Sequence, residues 1–220
     1  MTRPKLQLAL DMPELQTALT VLEQVHEHID VIEVGTILCL SEGMPAVREI
    51  RARYPKHTLL ADVRIVKAGA VIAKMAFDAG ADWVSVVAEA SVETVQAAIK
   101  EARARGKDVQ IELSDSWTAE QLALWRDLDI QQVIYHPASE VSDLKKDKWH
   151  HGNLETIQTL DDLGFRVTVT GGMTVANIPK FKDTPVYCFI SGRAIAKADN
   201  PTASARAFQE AINDIFKVKA

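Results

Sequence analysis

The chain has 220 residues, 47% hydrophobic and 25% charged, with a formal net charge of −5 at pH 7. That length holds one large domain with a substantial core, and the acidic balance speaks against a phosphate-backbone binder, which carries a basic patch or stripe. Cys39 and Cys188 form no short-range motif and fit a reducing cytoplasm better than a disulfide scaffold.

The opening MTRPKLQLALD meets Asp11 too early for a signal peptide. No run approaches the roughly 20 apolar residues of a membrane span. A cytoplasmic protein without membrane or nucleic-acid partners is expected.

The first apolar run is LQLALD (6–11), followed by helical period over 13–28 with Leu15, Ala18, Leu19, Leu22 and Val25 on one stripe. VIEVGT (31–36) precedes a helical segment at 44–53 that aligns Met44, Val47 and Ile50. TLLADVRI (58–65) and a helix at 71–79 come next, then WVSVVA (83–88) with a helix at 91–105. VQIEL (109–113) leads to 118–128, which opens with Thr118 and Gln121 in capping-box spacing. QVIYH (132–136) is followed by a helix over 153–163, RVTVTGG (166–172) by a shorter turn of helix at 174–181, and VYCFISG (186–192) by a helix over 202–217.

The apolar runs are short and continuous rather than alternating, as parallel strands buried on both faces read. Eight of them, each followed by a helix and with no polar linker between, predict one (β/α)8 TIM barrel over 1–220. An open doubly wound sheet is the competitor; it normally has fewer strands and often a glycine-rich turn after the first, where this chain has Asp11 and Met12.

In a barrel the chemistry sits at the carboxyl ends of the strands. Those ends carry Asp11, Glu33, Asp62 with Arg64, Glu89, Glu112, His136, Thr170-Gly171-Gly172 and Ser191-Gly192-Arg193. Any one carboxylate is read most simply as a salt bridge or a cap. Convergence of polar groups at six strand ends is hard to explain by packing, because unpaired buried carboxylates are costly.

Gly171, Gly172 and Gly192 let backbone approach a ligand, and the loops after strands 7 and 8, with a short helix such as RAIAKA (193–198), form the usual phosphate site of this fold. Arg193 adds a charge-assisted bond, so a phosphorylated small molecule is the expected ligand. Glu33 and Asp62 offer hard oxygen ligands without a Cys or His cluster, which suits Mg2+ and not zinc.

These residues resemble a known family. QLALD (7–11), IEVGTILCLSEG (32–43), GADW (80–83), VQIEL with WT (109–118), VIYH (133–136), VTVTGG (167–172) and FISGRAI (189–195) are similar to the 3-keto-L-gulonate-6-phosphate decarboxylases and hexulose-6-phosphate synthases of the orotidine-monophosphate-decarboxylase-like barrels. The resemblance implies a homodimer with active sites at the interface and Mg2+ near Glu33 and Asp62. It also implies substrate contacts from Asp11, Glu112 and Thr170, phosphate at Gly171, Gly172, Gly192 and Arg193, and His136 near a reprotonation step. The reaction implied is loss of CO2 from a β-keto acid through an enediolate, giving L-xylulose 5-phosphate.

The match breaks at the end of strand 3. The family reads Asp-x-Lys-x-x-Asp there, whereas this chain reads Asp62-Val63-Arg64-Ile65-Val66-Lys67, two charges more positive. After strand 6 the decarboxylases read His-Arg-x-Arg-Asp, and this chain has His136-Pro137-Ala138-Ser139-Glu140. Arginine holds a fixed positive charge but does not exchange protons as a buried lysine can. Catalytic work is therefore expected from Asp62, Arg64, Lys67, Glu112 and His136 in a rewired centre, with Glu89 available to pair with Lys67.

The retained carboxylates, His136 and phosphate loops favour a Mg2+-dependent decarboxylase of a phosphorylated β-keto sugar acid. A different enediolate reaction, aldol or isomerase chemistry on a ketose phosphate, is the alternative, and it fits the missing arginines. A non-catalytic sugar-phosphate binder would need fewer of these groups. Lys145–Lys148 with Trp149, His150 and His151 read as a solvated surface loop, and Trp83, Trp117 and Trp125 as packing or interface residues.

Overall fold

The computed structural model describes residues 2–113, 117–137 and 149–216. Eight parallel strands close on themselves in sequence order: β1 (Lys5–Leu10), β2 (Val31–Val34), β3 (Thr58–Ile65), β4 (Trp83–Val87), β5 (Asp108–Leu113), β6 (Gln132–Tyr135), β7 (Arg166–Val169) and β8 (Cys188–Ser191). β1 seals the ring against β8, Lys5 opposite Cys188 and Leu8 opposite Ser191. The expected single-domain (β/α)8 barrel is the fold.

Several strands stop short of their apolar runs. β2 ends before Gly35, and β7 ends before Thr170, Gly171 and Gly172; the last two have φ of 114° and 71°. Positive φ at Gly171 and Gly172 breaks the ladder and turns the chain outward into the loop above the barrel.

The outer ring contains α1 (Leu15–Val25), α2 (Thr36–Glu42), α3 (Met44–Arg53), α4 (Gly69–Asp78), α5 (Val92–Arg103), α6 (Ala119–Asp127), α7 (His151–Asp162), α8 (Arg193–Ala196) and α9 (Pro201–Ile215). Short 3-10 helices cover His26–His28 and Val175–Phe181. α1 buries the predicted Ala18, Leu19, Leu22 and Val25 and also Val21, with Leu15 partly buried at the edge of the stripe. Thr118 and Gln121 form the expected capping box of α6.

α2 is an element that the hydrophobic pattern did not reveal. Its seven residues are too few to show a helical period, and Gly43, with φ of 65°, separates it from α3. Trp149 also differs from expectation. It is buried against Phe181, with ring centroids 4.9 Å apart, so it belongs to the core and not to a solvated loop. Lys145–Lys148 lie outside the described residues. Trp83 and Trp125 are core residues, as read.

The main core fills the space between strands and helices. Inside the barrel two small apolar groups, Ala9 with Ile134 and Ile190, and Val31 with Leu60, Trp83 and Cys188, stand apart from it. The rest of the barrel interior is polar: Gln110 Nε2 donates to Gln132 Oε1 at 3.0 Å, and Gln132 Nε2 to Asp108 Oδ2 at 2.6 Å. Both cysteines are free and buried. Among the described residues no helix is long and apolar enough to cross a membrane.

Candidate active site

The end of β3 is irregular. Ala61 pairs with Val84 and Ile65 with Val86, so four steps along β3 face two along β4. Asp62, Val63 and Arg64 therefore bulge past a single opposite residue, Ser85. Bulges of this kind re-aim side chains next to functional sites.

Arg64 adopts φ of 42°, an uncommon conformation for a residue with a side chain. Ser85 holds it there, accepting the Arg64 N–H at 2.9 Å while donating to Asp62 Oδ1 at 2.6 Å. Thr36, the first residue of α2, donates to the other oxygen, Asp62 Oδ2, at 2.5 Å. Thus both oxygens of a buried carboxylate are fixed by hydroxyls. The guanidinium of Arg64 then reaches across the mouth, donating from Nη2 to Glu112 Oε1 at 2.7 Å with Nε 3.6 Å from Asp62 Oδ2.

Glu33 on β2 and Asp62 on β3 are each only 6% exposed. Burial first, and the neighbouring Asp62 charge second, push the Glu33 carboxyl well above the ordinary carboxylate range. The 2.6 Å bond from Gln7 Nε2 opposes that shift. Burial also raises Glu112, against the pull of Arg64, and Glu112 Oε2 is buried with no partner among the described residues. The β2–β3–β5 side of the mouth is thus a carboxylate cluster with one cation across it.

The other side is open. A cavity of about 390 Å³ lies between the ends of β1, β7 and β8, lined among others by Asp11, Thr170, Gly172, Gly192, Arg193 and Lys197. Ser191 Oγ donates to the Met173 carbonyl at 3.3 Å and ties the two glycine-bearing loops together. Backbone space is tight where it matters. A Cβ on Gly171 would stand 3.3 Å from His136 Nε2, and one on Gly35 would stand 2.2 Å from Asp11 Oδ1.

The structure therefore brings Glu33, Asp62, Arg64 and Glu112 together, and Asp11, Thr170, Gly172, Gly192 and Arg193 around the adjacent cavity, while His136 lies against Gly171, between the cavity-lining Thr170 and Gly172 in the chain. Lys67 stands apart from both groups. It is exposed in the connection before α4, and among the described residues no ion pair joins it to Glu89, whose charge acts instead on Glu112. Ala138, Ser139 and Glu140 lie outside the described residues.

Sequence reading missed Gln7, Thr36, Ser85 and Lys197. Gln7 and Ser85 carry a usable signal: each is a polar residue inside an otherwise apolar strand run. Lys197 carries one too, standing one helical turn after Arg193 in the short helix read at 193–198, whereas Thr36 carries none, since only the packing of α2 brings it to the mouth.

The profile of the orotidine 5'-phosphate decarboxylase / HUMPS family matches residues 4–208. The chain belongs to that family. Among family members, a 3-keto-L-gulonate-6-phosphate decarboxylase of Escherichia coli is 42% identical over 216 residues, covering 98% of this chain and 100% of its own. A crystal structure of KGPDC from Streptococcus mutans superposes with a TM-score of 0.93 at 36% identity, over 98% of this chain and 100% of that one. A 3-hexulose-6-phosphate synthase from Salmonella typhimurium gives 0.86 at 27% identity, over 96% and 99%.

Among the described residues no three His, Cys, Asp or Glu side chains converge to ligate an ion by themselves. Mg2+ needs fewer protein ligands, since one or two carboxylates are completed by water and substrate oxygens. The buried Glu33–Asp62 pair fits a cation at this position.

Proposed function

We propose that the protein is a carboxy-lyase that decarboxylates 3-keto-L-gulonate 6-phosphate to L-xylulose 5-phosphate and CO2 through an enediolate. The observation that carries this reading is the carboxylate cluster bridged by Arg64 beside the cavity of the glycine loops. Full-length similarity to decarboxylases supports it over aldol or isomerase chemistry.

Glu33 and Asp62 would hold Mg2+, which when bound supplies positive charge to the oxygens of the developing enediolate. The chain's own residues do the rest. Arg64, pinned between Asp62 and Glu112, presents a guanidinium whose position needs no reorganisation as CO2 leaves. Glu112, raised by burial, is suited to hold a proton against a substrate oxygen. His136 delivers a proton to carbon from beside Gly171, since imidazole is the side chain that ordinarily exchanges protons in the neutral range. Asp11 and Thr170 contact the sugar, while Gly172, Gly192 and Arg193 of the same cavity, with Gly171 next to them in the chain, hold the phosphate.

A homodimer is the assembly we favour. Ile37 and Leu40 on α2, Val66 after β3, and Val71 and Met75 on α4 are exposed large apolar side chains, Leu40 at 80% and Val71 at 61%. Exposed apolar side chains on neighbouring elements suit an interaction surface, and Val66 adjoins Lys67 in the chain. A second copy seated there would place Lys67 at the interface. A cytoplasmic location is consistent with two free cysteines.

Incubating the protein with 3-keto-L-gulonate 6-phosphate and Mg2+ while following CO2 and pentulose phosphate by NMR tests the reaction. Turnover that collapses in Asp62→Ala is expected. Absence of turnover in the wild-type protein would overturn the reading.

A further inference from the structure

Arg193 and Lys197 lie one helical turn apart at the edge of the cavity. The N–H of Lys197 still bonds to the Arg193 carbonyl, at 3.0 Å, so both residues sit on the same face although α8 proper ends at Ala196. Both are exposed and both line the 390 Å³ cavity with Gly172, Gly192 and Thr174. Among the described residues neither makes an ion pair. Like charges four residues apart repel, so the pair carries an electrostatic cost in the free protein that a bound anion removes.

We propose that Lys197 is a second cation for the substrate's phosphate, acting beside Arg193. A phosphate monoester carries a charge of about −1.5 to −2 at pH 7. One guanidinium leaves much of that charge uncompensated, and the loop glycines offer only dipoles. A flexible lysine on the same wall matches the remainder. The opposite side of the mouth is acidic, with Glu33, Asp62 and Glu112. The two cations thus also orient the substrate, phosphate toward β8 and reacting carbons toward β3. The inference rests on the phosphate reading given above.

The test is calorimetric titration of inorganic phosphate into the wild type, Lys197→Ala, Lys197→Arg and Arg193→Ala. Lys197→Ala is expected to weaken phosphate roughly three- to tenfold, the range for charge-assisted contacts at a partly solvated site. Lys197→Arg should restore it, and KM for the phosphosugar should rise with the phosphate Kd while kcat changes less. Weakening by Arg193→Ala with no change in Lys197→Ala would overturn the role of Lys197 alone. A wild-type protein that binds no phosphate would overturn the phosphate site itself, and this proposal with it.

Discussion

Ser85 Oγ donates a 2.6 Å hydrogen bond to Asp62 Oδ1, and through the same atom accepts the backbone N–H of Arg64. One hydroxyl therefore sets both the carboxylate proposed to hold the metal and the unusual backbone that aims the guanidinium. Ser85→Ala should lower kcat roughly tenfold, the effect of about 1.4 kcal/mol lost from the reacting geometry. Ser85→Thr, which keeps the hydroxyl, should stay near wild type. Steady-state kinetics on both variants check this; equal losses would point to packing and not to the hydroxyl.

Arg64 sits where the family hallmark has lysine, and its planar fork spans Glu112 and Asp62. Arg64→Ala removes a charge that acts on the developing enediolate, so kcat should fall about 10²–10³-fold. Arg64→Lys keeps the charge but not the two-sided contact, and its kcat should lie between the two. An alanine variant with wild-type kcat would take the guanidinium out of the chemistry.

Glu33 and Glu112 are both raised from an ordinary value of 4.5. Above that value the folded chain holds more protons than the unfolded one, so stability falls as pH rises through the window up to their folded-state values. The metal-free protein should therefore melt at a lower temperature at pH 8 than at pH 5.5 as far as these two groups contribute. Glu33→Gln should raise the metal-free Tm at pH 8 by roughly 2–4 °C, the shift that about 1 kcal/mol produces in a chain of this size. It should also abolish the stabilisation that added Mg2+ gives the wild type. Thermal melts with and without Mg2+ decide the matter.

Gly35 is required by contact and not by its backbone angle. A methyl group there would stand 2.2 Å from Asp11 Oδ1 and 2.9 Å from the Leu10 carbonyl. Gly35→Ala should displace the Asp11 carboxylate and raise KM at least severalfold, about the effect of 1 kcal/mol or more. An unchanged KM would show that Asp11 does not contact the sugar.

The exposed apolar patch on α2 and α4 predicts a concentration-dependent dimer. Leu40→Glu should shift the sedimentation coefficient toward the monomer without changing far-UV circular dichroism. A wild-type protein that sediments as a monomer at micromolar concentration would leave that patch without the second copy.

Much of this molecule was legible in its sequence. Continuous β-branched runs separated by helical periods pointed to the barrel, because strands buried on both faces have no polar side to show. Strand order then placed Asp11, Glu33, Asp62, Glu112 and the glycine loops at one end, since parallel strands all point their carboxyl ends the same way. The change from lysine to Arg64 was also visible residue by residue. What the sequence could not carry was distance across the barrel. Arg64 pairs with Glu112, 48 positions away, from a bulge opposite Ser85, and among the described residues Lys67 neither pairs with Glu89 nor lines the cavity. Thr36 reaches the mouth only because α2 packs against β3. Sequence spacing sets which face a residue occupies within its own element. Which partner it meets depends on how separate elements pack, and that was decided by the tertiary structure alone.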